Sequence, residues 1–313
     1  MSLLAISAMS FPEFSPAIFQ IDLGFLGLGK FPIRWYALSY IVALLLGWRL
    51  ALALVARPAL WGGKSPADRD DIDDLLFYVT LGVILGGRFG YILFYQLPYQ
   101  WDQTLSDPMS LLRIWEGGMS FHGGLLGVVI AILWVTRHRK LSLLSVGDIA
   151  GVVAPFGPLF GRIANFINAE LYGRPTPEGS SWGMIFPEGY VRGSTPSAYD
   201  WGSGEWVYRG DEVARYPSQL YEAVLEGLIP AIVLTILVWR FKALQRPGLV
   251  AGLFLLLYAF GRTVSEQFRE PDAFVSGLPE WITMGQILSL PMWIGGAWLV
   301  WAALKKSATS PQT

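Results

Sequence analysis

The sequence predicts an all-α polytopic membrane protein, with about seven transmembrane helices and a small irregular outer-side head domain. Three observations predict it. Of the 313 residues, 53% are hydrophobic and only 15% are charged, where soluble domains carry about 25% charged residues. Folded surface shrinks too slowly with chain length for a soluble protein of this size to hide so much apolar area, so lipid is the solvent. Seven apolar stretches approach the roughly 20 residues that a helix needs to cross a bilayer core. One long segment rich in Gly, Pro, Ser, Trp and Tyr interrupts that series.

Residues 1–33 read as an outer-side surface segment. They lack a charged n-region and a continuous apolar h-region, so they do not read as a cleaved signal peptide, and "FPEFSP" reads as irregular chain at the membrane surface. Spans follow near 34–56, 74–96, 119–137 and 147–168, a first group covering residues 34–168. Glycine and proline interrupt the last two. Residues 169–217, with "PTPEGSSWG" and "RGSTPSAYDWGSGEWVYRG", are too long for a connector and form the head, with some β content. Spans near 218–240, 248–268 and 283–304 complete the set over residues 218–304, and 305–313 is a polar tail. No internal repeat is visible.

Basic residues orient the chain. Arg57, Lys64 and Arg69 follow the first span, Arg137, Arg139 and Lys140 the third, Arg240, Lys242 and Arg246 the fifth, and Lys305 and Lys306 the seventh. The positive-inside rule therefore places the N-terminus outside and the C-terminus inside. The acidic run "DRDDIDD" counts little in that rule and suits a helix start. A net charge of -1 with no basic face gives no sign of a nucleic-acid partner, and the absence of cysteine excludes disulfides and thiolate metal sites. Any thiol in the chemistry comes from a partner.

Ionisable residues inside spans are costly and mark functional sites by default. Here they are Arg88, His122, Arg162, Glu222, Glu226, Arg262 and Glu266, with Glu170 just past the fourth span. At about 1.5 Å per residue, most of them, with Tyr36, fall in the outer third of the bilayer while the inner half is nearly bare. Elements of six spans thus converge at the level of the lipid head groups. Tyr258, Arg262 and Glu266 follow i, i+4, i+8 spacing on one stripe; a structural ion pair that shields both charges explains them equally well. In "GRIANFINAELYG", helical phase puts Arg162 and Asn165 together but Asn168 and Glu170 apart. The helix is therefore expected to end near Asn168, with Glu170 turned back. His122 stands between glycine pairs at a helix entrance, as a base or as a structural histidine; His138 reads as solvated. Gly82, Gly86 and Gly90 have the spacing of helix packing, and Glu226 is expected to partner a buried arginine such as Arg88.

Two arginines at head-group depth suit a phosphodiester, because guanidinium forks bind phosphate oxygens and keep their charge when buried. A histidine or carboxylate would take a proton from a nucleophile. No Ser-His-Asp or paired-Asp centre supports a protease. A transporter or flippase is the rival class, and it would spread polar residues through the full depth.

"GRIANFINAELYG" resembles the signature G-R-x-x-N-F-x-N-x-E-x-x-G of the bacterial prolipoprotein diacylglyceryl transferases. "RWYALSY", "GGRFGYILFY", "EGGMSFHGGL", "YPSQLYEA" and "YAFGRTVSEQFREPD" resemble that family's other blocks in the same order, from about Arg34 to Trp301. The resemblance implies a seven-span enzyme of the bacterial inner membrane. It takes the diacylglyceryl group of phosphatidylglycerol and joins it as a thioether to the lipobox cysteine at a prolipoprotein signal peptide, releasing glycerol 1-phosphate. It implies no cofactor and no metal. The family's functional positions fall on Tyr36, His122, Gly123, Gly161, Arg162, Asn165, Glu170, Gly173, Tyr258, Arg262 and Glu266. The resemblance assigns Arg162 and Arg262 to the phosphate, His122 to the base, Glu170 and Glu266 to orienting the arginines, and Asn165 and Tyr36 to the head group. Many relatives carry histidine where Tyr216 stands, so that imidazole is read as dispensable.

Overall fold

The structure, a computed structural model, describes residues 8–26, 30–113, 117–187, 199–208, 213–270, 279 and 282–309. Parts of the quoted head segment (188–198 and 209–212), Glu116 of "EGGMSFHGGL" and the closing Pro271 and Asp272 of the sixth block lie outside them. The chain is mostly helical. Among the described residues, six stretches are long and apolar enough to cross a membrane: Trp35–Val55 (α1), Arg69–Tyr99 (α2), Phe121–His138 (α3), Leu143–Ile167, Ser218–Phe241 (α6) and Met284–Lys305 within Met284–Thr309 (α8). Leu143–Ile167 bends into Leu143–Val153 (α4) and Phe156–Ile167 (α5). Pro155, which lacks an N–H, stands at the break. The expected span at 248–268 is a 17-residue apolar helix, Leu249–Ser265 (α7), at the short end of what crosses a bilayer. The chain is thus a multi-pass membrane protein.

The chain folds as two compact units. Residues 48–149 make one of them. Its α2 opens on a reciprocal cap, Asp71 N donating to Asp68 Oδ1 at 3.0 Å and Asp68 N to Asp71 Oδ2 at 2.9 Å. The acidic run thus satisfies free N–H groups at a helix start. α2 and α3 run antiparallel in direct backbone contact. A Cβ at Gly82 would press on Gly127, and one at Gly86 or Gly90 on Gly123. The glycines of the G-x-x-x-G series let the backbones approach as helices do in lipid. The outward faces carry Phe77, Leu81, Leu85, Leu125, Val129 and Trp134.

Residues 1–47 and 150–313 make the other unit. Its small head has short strands: Met9–Ser10 (β1) pairs parallel with Met184–Ile185 (β4), Ala17–Asp22 (β2) antiparallel with Lys30–Arg34 (β3), and Tyr199–Asp200 (β5) antiparallel with Glu205–Trp206 (β6). "FPEFSP" is irregular, as expected, but its Phe11 is buried in an aromatic core with Phe166, Phe186 and Trp206, ring centroids 5.4–5.6 Å away. The N-terminal segment is therefore part of the head, because an aromatic ring gains more by packing among others than at a surface. Phe166 belongs to α5, so this core clamps the end of that helix.

Among the described residues, two helices contain a π turn, at Ile92–Gln96 in α2 and Ala223–Leu228 in α6. Each is followed by a proline, Pro98 and Pro230, whose ring and missing N–H disrupt regular α bonding one turn earlier. The turn in α6 lies between α5 and α7. A Cβ at Gly227 would come 2.7 Å from Leu159, and one at Gly261 2.5 Å from the Leu225 carbonyl oxygen.

Gly86→Leu should overpack the α2–α3 seam and cost about 3 kcal/mol or more, read as a lowered Tm in detergent. Gly157→Ala, whose added methyl meets nothing within 4 Å, should stay within about 0.5 kcal/mol of wild type. Equal stability of the two variants would refute the seam.

Candidate functional site

The π turn in α6 carries the acidic half of a buried charge cluster. Glu222 and Glu226 have no solvent exposure. A lone carboxylate in such surroundings would lose its proton only at great cost, so buried carboxylates are found paired. The counter-charges come from two segments, α5 and the end of α7. Arg162 of α5 places Nη2 2.9 Å from Glu222 Oε2 and 3.9 Å from Glu226 Oε2. Arg262 of α7 places Nη1 3.4 Å from the same Glu222 oxygen and 3.7 Å from Glu226 Oε1. Arg269, just past α7, sets Nη1 3.1 Å from that oxygen too.

One oxygen, Glu222 Oε2, is therefore shared by three guanidinium groups. Glu226 Oε1 also accepts from Ser265 Oγ at 2.8 Å, and Arg262 Nη2 reaches Glu266 Oε2 at 2.9 Å. Three arginines balance three glutamates. Tyr258, one turn before Arg262, lies within the field of Arg162, Arg262, Glu222 and Glu226. The cluster is not closed evenly: the Arg162 side chain is 20% exposed and that of Arg262 13%, against zero for Glu222 and Glu226. The carboxylates form its floor and the guanidinium groups its accessible side.

Beside the cluster, α5 ends at Ile167 and the chain reverses sharply. Ala169 and Leu171 take positive φ angles of 52° and 58°, a conformation that costs an L-residue roughly 1–2 kcal/mol. The reversal swings Glu170 back onto the helix end, where Oε1 accepts from Asn165 Nδ2 at 2.8 Å and Asn168 Nδ2 at 3.3 Å. Gln219 Nε2 holds the Glu170 carbonyl at 2.7 Å. Glu170 lies past the spans, and burial pushes its carboxyl above the ordinary glutamate range; the two amides, then the Arg34 and Arg162 charges, partly offset this. Tyr36, at the start of α1, feels both Arg162 and Glu170 and shares a 3.1 Å hydrogen bond with Tyr40 through its hydroxyl.

Tyr36, Arg162, Asn165, Glu170, Tyr258, Arg262 and Glu266 thus share one neighbourhood in the unit of residues 1–47 and 150–313. Gly173 sits there for a backbone reason. Its N–H donates to the Tyr216 carbonyl at 2.8 Å, and a Cβ would collide with the Phe268 carbonyl oxygen. Tyr216 packs its ring against Phe268 and Tyr221. Gly161 is the opposite case, since a Cβ there would meet nothing within 4 Å. His122 and Gly123 lie in the unit of residues 48–149. His122 is exposed in the first turn of α3 with its ring edge-on to Phe121, and Gly123 is buried against Gly86 and Gly90.

Two sequence expectations need correction. Glu226 does not serve Arg88: it faces Arg162 and Arg262, while Arg88 donates to the main-chain carbonyls of Ser110, Leu111, Gly117 and Gly118. Several carbonyl dipoles replace the expected carboxylate. Glu170 orients amides and forms no ion pair with the arginines, a part taken by Glu222, Glu226 and Glu266. The sequence reading also passed over Arg269 and Gln219 and left Glu222 outside the site. The signal for Glu222 was its i, i+4 spacing from Glu226 in an apolar span. Among the described residues, no group of three His, Cys, Asp or Glu is placed to hold a metal ion.

A family model described as prolipoprotein diacylglyceryl transferase matches residues 24–302. The chain is 43% identical over 303 residues to the phosphatidylglycerol–prolipoprotein diacylglyceryl transferase of Bradyrhizobium diazoefficiens, covering 97% of this chain and 96% of that one. It is 46% identical over 291 residues to the protein of the same name from Rhodospirillum rubrum, covering 92% of each.

Glu222→Leu should leave three guanidinium groups facing two carboxylates and destabilise the fold by about 3–5 kcal/mol, measurable by denaturation in detergent. Glu170→Gln tests the shifted carboxyl. Because the folded state holds the Glu170 proton more tightly than the unfolded one, burying its charge costs stability increasingly as pH rises above the ordinary glutamate value. The Tm advantage of Glu170→Gln over wild type should be near zero at about pH 4 and positive at about pH 8. A pH-independent difference would contradict the shift.

Proposed function

Because the chain belongs to the prolipoprotein diacylglyceryl transferase family, we propose that it transfers the diacylglyceryl group of phosphatidylglycerol to a prolipoprotein cysteine. The thiol gives up its proton and the sulfur attacks the glyceryl carbon that carries the phosphate. A carbon–sulfur bond forms, the carbon–oxygen bond to phosphate breaks, and glycerol 1-phosphate leaves with the bonding electrons. Negative charge grows on the departing phosphate, and preorganised guanidinium groups stabilise such charge best where water is excluded.

The observation that carries this reading is the convergence of Arg162 and Arg262, from two different spans, on one buried Glu222 oxygen. The carboxylates hold the two forks side by side and leave their open edges to a phosphodiester. Tyr36 and Asn165 hold the glycerol head group, Glu170 orients Asn165, and Glu266 steadies Arg262. His122 takes the thiol proton; a free cysteine has a pKa of about 8.5, so a base is needed near neutrality. The acceptor is the lipobox cysteine at the end of a signal peptide. The enzyme lies in the bacterial inner membrane with its N-terminus periplasmic, its C-terminus cytoplasmic, its site toward the outer leaflet and residues 169–217 as the periplasmic head. The names of the relatives offer no support for the transporter or flippase alternative.

Purified protein incubated with phosphatidylglycerol and a lipobox peptide should yield a thioether-linked peptide and free glycerol phosphate by mass spectrometry. A serine-for-cysteine peptide should gain no mass. Arg162→Lys and Arg262→Lys should each lower turnover about a hundredfold, because an ammonium cannot reproduce the fork. No product from wild type in lipid would overturn the reading, and normal turnover in both lysine variants would overturn the phosphate assignment.

A further inference from the structure

The structure assigns Gly285 as a positioning residue for Arg262, acting through Glu266. Gly285 lies in the first turn of α8, where a reciprocal cap holds the backbone: Gln286 N donates to Thr283 Oγ1 at 3.3 Å and Thr283 N to Gln286 Oε1 at 3.2 Å. The nearest neighbours of a Cβ at Gly285 would be the carboxylate atoms of Glu266, with Oε2 at 2.7 Å and Cδ and Oε1 at 2.8 Å. The Glu266 carboxylate is thus seated on the bare Cα of Gly285. It is buried, at 2% exposure, and from that seat it holds Arg262 Nη2 at 2.9 Å.

The neighbours distinguish this glycine from those that pack helices. At Gly227, Gly252 and Gly261 a side chain would press on the backbone of the adjacent helix, so the fold itself would resist. At Gly285 it would press on the free end of a side chain, which can swing away. The added methyl therefore displaces a carboxylate and leaves the helix packing alone. Arg262 is gripped on two sides, by Glu266 at Nη2 and by Glu222 and Glu226 at Nη1. With Glu266 displaced, the guanidinium is free to turn about its remaining contacts. Misplacing a charge-stabilising group by about 1 Å can cost up to about a hundredfold in rate.

This inference rests on the transfer reaction proposed above. Its test compares wild type, Gly285→Ala, Glu266→Asp and the double variant for folding in detergent and for thioether formation from phosphatidylglycerol and a cysteine peptide. Gly285→Ala should fold with a Tm within about 3 °C of wild type and lose about tenfold or more in kcat. Glu266→Asp shortens the carboxylate by one methylene, which is the room the new methyl needs. The double variant should therefore lose less than the product of the two single losses, a coupling that a purely structural defect would not produce. Gly295→Ala, on the same helix with nothing near its added methyl, should keep wild-type turnover. Wild-type kcat in Gly285→Ala, failure of that variant to fold, or independent multiplication of the two losses would each overturn the inference. Absence of product from wild type would sink the transfer reading instead.

Discussion

Two carboxylates with no solvent exposure, Glu222 and Glu226, set the terms for the membrane unit built on α5, α6 and α7. Their apolar helix offers no hydration, so positive charge must be brought to them. Arg162 is brought from α5, and Arg262 and Arg269 from α7 and the chain just past it. The helices can approach closely enough because Gly227 and Gly261 remove side chains from the two crossings. The π turn over Ala223–Leu228 sits between those crossings.

Glutamates that compensate Arg162 and Arg262 also hold them side by side, and for the proposed reaction such prior orientation is what makes a charged group effective in a low-dielectric setting. The ion-pair reading and the phosphate reading of Tyr258, Arg262 and Glu266 are therefore compatible. Arg262 pairs with Glu266 and still keeps part of its surface open.

The head contributes anchoring. Phe166 ties the end of α5 into an aromatic core with Phe11, Phe186 and Trp206, and two positive φ angles then turn Glu170 back onto Asn165. Such strain persists only where the surroundings hold it, and here the aromatic core and the Gln219 hydrogen bond do so. In the unit of residues 48–149, the Gly82, Gly86 and Gly90 face lets α2 and α3 pack on each other while Arg88 ties down the chain between them.

Hydrophobicity and periodicity, which are local, determined a good deal. The apolar runs placed the helices within a few residues, the acidic run marked the start of α2, and helical phase foretold both the end of α5 near Asn168 and the return of Glu170. The six ordered blocks determined the family. What only the tertiary structure decided was pairing. Glu226 faces Arg162 and Arg262 and not Arg88, Arg269 joins the cluster from beyond α7, and Phe11 packs into the head. The seat of Glu266 on Gly285 belongs with these. Each is a contact between segments far apart in the chain, and a sequence records which residues need a partner without recording which helix will stand beside them.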